Sequence, residues 1–482
     1  MIEKVLANGQ KVTAFPMSYP QQLMFFMNIQ YGKGYPINNI GSGYYWKGGF
    51  DFEVMKESIY EAIGRCDTMR LRFIPDEQYK VLQYVNENSE LEIETLDLSA
   101  LSLEEADEKL TEISRGPIPM FDCELHKIIL VKLSEGYNGI FMKLQHLAMD
   151  AYAVKVFLQD VLEIYLHKTT GSAYPKPMRP YIPVLLTELA YINSEKHKAD
   201  QQYWFDSLAK TTEPIFTDFM LDNRLKKQQV EFPEHRFADI HSGSPEAAVL
   251  KFEMSAEDSA KVIKMCEEKG ISLFGTVSMA MRTALSVFND NQTDVSFKTI
   301  VNRRGTIAEK KSGGIRINYL PMRSIVLPEQ TFVEAVNTVS EVQNEMYQHC
   351  SLSFMEMLML RHKSMPADAK ADSTYDSLGF SYQPLMSMPA FNEEMAKTAK
   401  SVWYNNGACM LPLYITARHR AEDNGFEFIF EVRKEPDSIY DLNVFYKKVR
   451  DTLVLGAENP DMTVGEILEK IAITEEERNG KN

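Results

Sequence analysis

Paired cysteines are missing from this sequence. Its five cysteines (Cys66, Cys123, Cys266, Cys350 and Cys409) are odd in number, scattered, and never in a CxxC spacing. That excludes a disulfide frame and a thiolate zinc site, and it reads as the reduced thiols of a cytoplasmic protein. Positive charge is scarce as well: 52 Lys and Arg stand against 68 Asp and Glu, a net charge of −16. With no basic excess to neutralise phosphates, generic nucleic-acid binding is excluded. Nothing approaches the ~18 consecutive apolar residues that a membrane-spanning helix needs. Residues 1–12 also lack the apolar centre of a secretory signal. There is no GxxxxGK followed by Ser or Thr, no GxGxxG after a strand and no HExxH, so nucleotide, dinucleotide and zinc-protease chemistry are unsupported and no metal site is expected.

What is present is a globular composition, 44% hydrophobic and 25% charged over 482 residues, too long for one ordinary core. Helical periodicity is expected over 51–64, 103–114, 151–167, 181–208, 255–269, 273–288, 331–360 and 440–455. Strands are expected over 65–73, 80–85, 126–133, 139–144, 295–301, 378–382, 413–417 and 426–432. The proline-rich connection Tyr174-Pro175-Lys176-Pro177-Met178-Arg179-Pro180 interrupts both patterns and divides the chain into 1–175 and 176–482. Strands and helices alternate in both parts, so the expected fold class is α/β, with two lobes related by internal duplication.

The chain is organised around Leu144-Gln145-His146-Leu147-Ala148-Met149-Asp150-Ala151. An apolar strand hands Gln145 and His146 to a short connection, and Asp150 stands where it can cap the following helix. An imidazole fixed at a strand end suits proton transfer, although a structural histidine also fits that spacing. Ser18 reads as a helix cap ahead of Pro20. Arg65, Arg70 and Arg72 line a strand on which one guanidinium could hold a buried carboxylate.

Taken together these stretches resemble the condensation domains of non-ribosomal peptide synthetases, within the chloramphenicol acetyltransferase-like superfamily. Ser18-Tyr19-Pro20-Gln21 is similar to the opening SxAQ-type motif. Residues 65–73 are similar to RHExLRTxF, with Arg65 and Arg70 matching its arginines, and residues 145–151 stand where HHxxxDG is expected. Tyr203-Trp204 matches the YW of the crossover helix. Asn302-Arg303 with residues 314–319 resembles the GxxVxxR…IGxFVNT region, 349–357 resembles HQDxPFE, and 473–477 resembles the closing sequence.

The resemblance implies two acetyltransferase-like lobes in a V-shaped pseudo-dimer with an active-site tunnel between them. His146 would accept or orient the proton of an attacking amine. Asp150 would hold the loop by pairing with Arg65, and backbone N–H groups near Ala151 would stabilise the oxyanion. Gln145, Ala151, Ser18, Arg70, Arg303 and Asn318 are the implied tunnel or substrate-binding residues. No cofactor is bound; a phosphopantetheine thioester arrives on acyl- and aminoacyl-loaded carrier proteins, or as CoA, and the protein acts as a monomer. Arg303/Arg304, Lys310/Lys311, Arg361/Lys363 and Arg418/Arg420 are candidate docking positions for acidic carriers.

Three positions depart from the pattern: Gln145 replaces the first histidine, Ala151 replaces the glycine, and Phe430-Glu431-Val432-Arg433 does not reproduce the late FDY pattern. No adenylation or carrier segment is recognisable, so a free-standing condensation enzyme or an excised module is expected. Two other functions share the HxxxD pattern: a stand-alone O- or N-acyltransferase using acyl-CoA or acyl-carrier donors, and a catalytically degenerate carrier-docking module.

Overall fold

The computed structural model describes residues 1–31, 35–87, 89–209, 215–240, 244–367, 369–370, 373–384, 397–420, 423–434 and 438–480. Two compact units share the chain. One holds Met1–Ser194, Asn302–Ile317 and Ser387–Ala408; the other holds Glu195–Val301, Asn318–Met386 and Cys409–Asn482. The division falls after Ser194 rather than at 175/176, because the helix Tyr181–Leu189 is bonded into the first unit. Tyr181 N donates to Asp67 Oδ2 at 2.8 Å, and Glu188 Oε1 accepts from Tyr19 N at 3.1 Å. The helix expected over 181–208 is two helices, Tyr181–Leu189 and Glu195–Ala209, with Asn193 at a φ of 64° between them.

The first unit is built on a five-stranded sheet in the order Lys400–Tyr404, Asn39–Lys47, Tyr137–Gln145, His126–Lys132, Glu94–Asp97. Tyr137–Gln145 pairs antiparallel with both neighbours and is buried along almost its whole length. Covered on both faces, it reads as a continuous apolar run rather than an alternating one. Asn39–Lys47 carries Gly41, Gly43 and Ser42 among aromatics, too mixed a pattern to read as a strand. Lys400–Tyr404 is fastened to the same sheet by Tyr404 Oη, which lies 2.8 Å from Tyr45 Oη and donates to Asp107. A second sheet runs Ile2–Val5, Lys11–Pro16, Lys80–Val85, Leu71–Asp76, all antiparallel. The strand expected over 65–73 begins only at Leu71, after a 3-10 turn at Asp67–Arg70. The helix Ala151–Thr170 packs against Phe52–Arg65 and ends on Gly171, whose φ of 72° few other residues adopt cheaply.

In the second unit the sheet order is Ala247–Glu253, Phe426–Arg433, Leu413–His419, Leu378–Gln383, Asp294–Asn302, Ile317–Ile325. Its side chains alternate: Phe426, Phe428, Phe430 and Val432 enter the core, and Glu427 and Glu431 take the opposite face. The core is filled by the helix Leu273–Phe288, buried all round from Gly275 onward, as its lack of a polar face requires. A Cβ at Gly275 would sit 2.3 Å from Ser340 Oγ, so glycine permits the close approach of the helix Phe332–Gln348. The helix expected over 331–360 is likewise two, because Ser353 caps a new start at Phe354. Among the described residues, no single helix is long and apolar enough to cross a membrane.

Candidate active site

The histidine turn is held by its main chain. Gln145 N donates to Leu125 O and His146 N to Asn38 O, both at 2.7 Å, and Ala148 N closes the turn onto Gln145 O at 2.9 Å. A fourth tie reaches it from the opening helix: Gln21 Nε2 donates to Leu147 O at 3.1 Å. Gln21 is itself fixed by a reciprocal amide pair with Gln83, at 2.9 and 2.7 Å, and by Ser18, whose N–H donates to Gln21 Oε1 at 2.8 Å. Ser18 therefore acts as a cap that orients Gln21, and the serine-to-glutamine spacing does its work through the glutamine. With its backbone bonded on several sides, the turn has little freedom to reposition the imidazole.

The His146 ring is partly buried, and Nδ1 is enclosed with no hydrogen bond among the described residues. Burial holds the imidazole below its ordinary pKa, and the negative charge of Asp150 opposes that shift in part. The ring is therefore neutral near pH 7 and able to accept a proton. Gln145 is buried beside it, with its Oε1 also unbonded among the described residues.

Asp150 does not pair with Arg65. Its carboxylate is 2% exposed and receives two parallel hydrogen bonds from Arg304, at 2.8 and 2.9 Å. It also accepts from Arg316 N at 2.9 Å and from Ala153 N, the expected cap, at 3.0 Å. Four donors converge on one buried carboxylate, so its oxygens are fully engaged within the fold. Arg304 is held in turn by Asn302 Oδ1 and Gly314 O, both at 2.8 Å, and lies over the Tyr152 ring at 4.8 Å. Residues 302–317 form the excursion that delivers it, turning back at Gly313 and Gly314 with φ of 73° and 80°. A Cβ there would meet Thr68 Oγ1 at 2.4 Å or the Tyr181 ring at 2.7 Å.

Arg65 instead bonds Asp160 at 3.0 Å and the carbonyls of Pro175 and Lys176 at 3.2 and 2.9 Å, with Tyr174 under its guanidinium at 4.8 Å. It fastens the proline-rich connection to the helix Ala151–Thr170. Arg70 serves the carbonyls of Asn86 and Glu87. Arg303 pairs with Glu188 at 3.0 Å, and Arg316 joins the same carboxylate at 3.2 Å while also binding Glu309 at 2.6 Å. Ala151 opens the helix without a positive φ, so the methyl in place of glycine brings no backbone strain.

Asn318 belongs to the second unit, where its amide donates to Cys350 O and Leu352 O at 3.0 and 2.6 Å. In that unit Trp204 Nε1 donates to His349 O at 2.8 Å and the His349 ring stacks on Tyr203 at 3.9 Å. Two stretches singled out separately in the sequence are thus one packed unit.

Arg304, Gln21, Gln83 and Glu188 are the residues that sequence reasoning left out of the site. Arg304 is one position from Arg303, the arginine that the resemblance implies. Spacing does not separate neighbours on a polar loop, although a buried capping carboxylate does call for a bidentate partner.

Residues 11–402 match the family model for the Condensation domain. Surfactin synthase subunit 1 of Bacillus subtilis (strain 168) is 22% identical over 330 residues, covering 68% of this chain and 9% of that protein. A plipastatin synthase subunit of the same organism is 20% identical over 426 residues, covering 88% of this chain and 15% of that protein. The chain therefore spans less than a sixth of the length of these curated relatives. Among solved structures, the first condensation domain of the calcium-dependent antibiotic synthetase, in complex with a substrate analogue, superposes with a TM-score of 0.76 at 18% identity. That match covers 94% of this chain and 99% of the other. A mutant starter condensation domain of rhizomide synthetase RzmA, in complex with C8-CoA, gives 0.74 at 17% identity, covering 94% and 97%. The two-lobed, acetyltransferase-like α/β fold is common to them and to this chain.

Proposed function

The chain belongs to the condensation-domain family, and from that premise we propose that it is an acyltransferase joining a carrier-bound acyl or peptidyl thioester to an acceptor amine. His146 is the catalytic residue in this reading. With Nδ1 enclosed, Nε2 is the ring nitrogen left to meet a substrate, and a neutral imidazole there accepts or orients the proton of the attacking amine. As the C–N bond forms and the thiolate leaves, that proton passes from nitrogen to the departing sulfur. In this reading, backbone N–H groups at the start of the helix Ala151–Thr170 that the Asp150 cap does not occupy stabilise the oxyanion.

The observation that carries this reading is the turn itself: a neutral histidine locked by main-chain bonds beside a carboxylate fully engaged elsewhere. Gln145 adds no base. The substrates are acyl- and aminoacyl-loaded carrier proteins, and the protein works as a cytoplasmic monomer. A second reading, a CoA thioester as donor, is favoured by the C8-CoA complex of the RzmA starter domain.

The test is intact-mass detection of acyl transfer from a panel of loaded carrier proteins and acyl-CoAs to carrier-bound and free amines. Replacing His146→Ala is expected to slow product formation by about 10²–10⁴-fold without altering the thermal melt. Product formed equally well by that variant removes His146 from the chemistry. Carrier binding without turnover by either protein leaves the docking role.

A further inference from the structure

The second unit contains a cavity of about 390 Å³ that the chemistry of His146 does not use. Its volume falls in the ~300–1,000 Å³ range of small-molecule sites. One wall is the helix Phe354–Ser364, which contributes Phe354, Met357, Leu358 and Met359; Met365 and Pro321 continue the apolar lining. Methionine and leucine predominate. Unbranched thioether side chains adapt to a flexible chain better than to a rigid plane, and Phe354, the one phenyl ring among the described lining residues, is already set edge-on to Tyr319 at 6.0 Å.

A cation is built into this apolar space. Lys298 lies on the strand Asp294–Asn302, on the face opposite the core residues Phe297 and Val301, and lines the cavity. Its ammonium makes no hydrogen bond or ion pair among the described residues, and its contact is the Phe354 ring at 5.8 Å. Asp376 attracts it, but that carboxylate is fully buried and already engaged. Arg361 donates to it at 2.8 Å and Ser296 Oγ at 2.6 Å. Arg361 lines the cavity too but is paired with Asp376, and His362 and Lys363, also in the lining, are exposed side chains, so Lys298 is the strand-borne cation facing the apolar wall. Lys298 is half-buried, and an ammonium facing a largely apolar cavity gains from an anion that joins it.

We propose that this cavity is a binding site for an alkyl carboxylate, its chain among Met357, Leu358, Met359 and Met365 and its carboxylate on Lys298. The enclosure of Lys298 also pulls its ammonium below the ordinary lysine range, a shift that a bound carboxylate reverses. The site stands independently of the role given to His146.

Isothermal titration of the full chain with dodecanoate, dodecanol and dodecyltrimethylammonium, below their micelle concentrations and near neutral pH, tests the assignment. Dodecanoate is expected to bind at one site, with the alcohol weaker and the cation weakest. Lys298→Met should weaken dodecanoate about tenfold or more, as loss of one charge-assisted hydrogen bond does. Lys298→Arg should retain binding, and Leu358→Trp, at a position already 38% exposed, should block it. Circular-dichroism melts confirm that each variant is folded, and His146→Ala should bind as the parent does. Failure of dodecanoate to bind the parent overturns the proposal, as does equal binding to the parent and to folded Lys298→Met, or a preference for the cationic amphiphile. Loss of binding in His146→Ala would overturn it too, by moving the ligand to the other site.

Discussion

Two arginine–carboxylate pairs sit at opposite ends of the first turns of one helix, and they do different work. Arg304–Asp150 is almost wholly buried, 1% and 2% exposed, and bidentate. Arg65–Asp160 is 15% and 6% exposed, single-contact, and shared with two carbonyls of the connection that follows the helix. The first is an internal strut beneath the histidine turn. The second is a fastening between a helix and the segment leaving it. Burial separates them, because an ion pair removed from water destabilises strongly when one partner is lost, whereas water can re-solvate a peripheral one.

The largest effect should follow from stranding the buried charge. Arg304→Leu leaves Asp150 without its fork and is expected to cost about 3–5 kcal/mol, read as a lowered denaturant midpoint, with activity lost alongside. A loss no greater than that of Arg65→Ala would erase the distinction between the pairs. Next, Asp150→Asn combined with Arg304→Leu removes the stranded anion while the amide oxygen still caps Ala153 N. The double variant should be more stable than Arg304→Leu alone, and a double-mutant cycle measures the coupling.

A smaller effect is expected for Arg65→Ala, about 1.5–3 kcal/mol at pH 8, with acyl transfer retained. That penalty should depend on pH. Burial raises the Asp160 carboxyl to about 6 even with Arg65 opposing it. A carboxyl whose folded pKa lies above its unfolded value favours the folded state when protonated, and this contribution is lost as pH rises through about 6. Removing Arg65 therefore matters most above that pH, where the anion is stranded, and least near pH 5; melts at the two values check the sign. The smallest change concerns His146. Because burial holds its pKa below the ordinary imidazole value of 6.5, the acidic limb of the rate profile that belongs to the enzyme should have its midpoint below that pH. A midpoint above 6.5 would mean that Asp150, and not burial, governs the ring.

Much of this was legible in the chain as written. The strand before His146, the cap at Asp150 and the helix after it follow from periodicity and from donors within three residues. The family resemblance rested on short motifs in order, and the match over residues 11–402 agrees with it. The resemblance pointed to Arg65 as the partner of Asp150, yet Arg304 holds that place from 154 positions away. Ser18 and Arg70 proved to be scaffolding for neighbouring main chain and for Gln21. The strand Lys400–Tyr404, which joins the first unit's sheet far from its sequence neighbours, carries no local pattern strong enough to announce it.

What the sequence determined by itself is therefore the local set: the turn that presents an imidazole, the caps, the apolar strands and the family. Each is satisfied by atoms a few residues apart, so it is written in spacing. The tertiary structure alone decided which guanidinium meets which carboxylate, that Gln21 grips Leu147, and that 302–317 returns to the first unit. A buried charge takes whichever counter-charge the fold brings within about 3 Å, and separation along the chain places no bound on that choice.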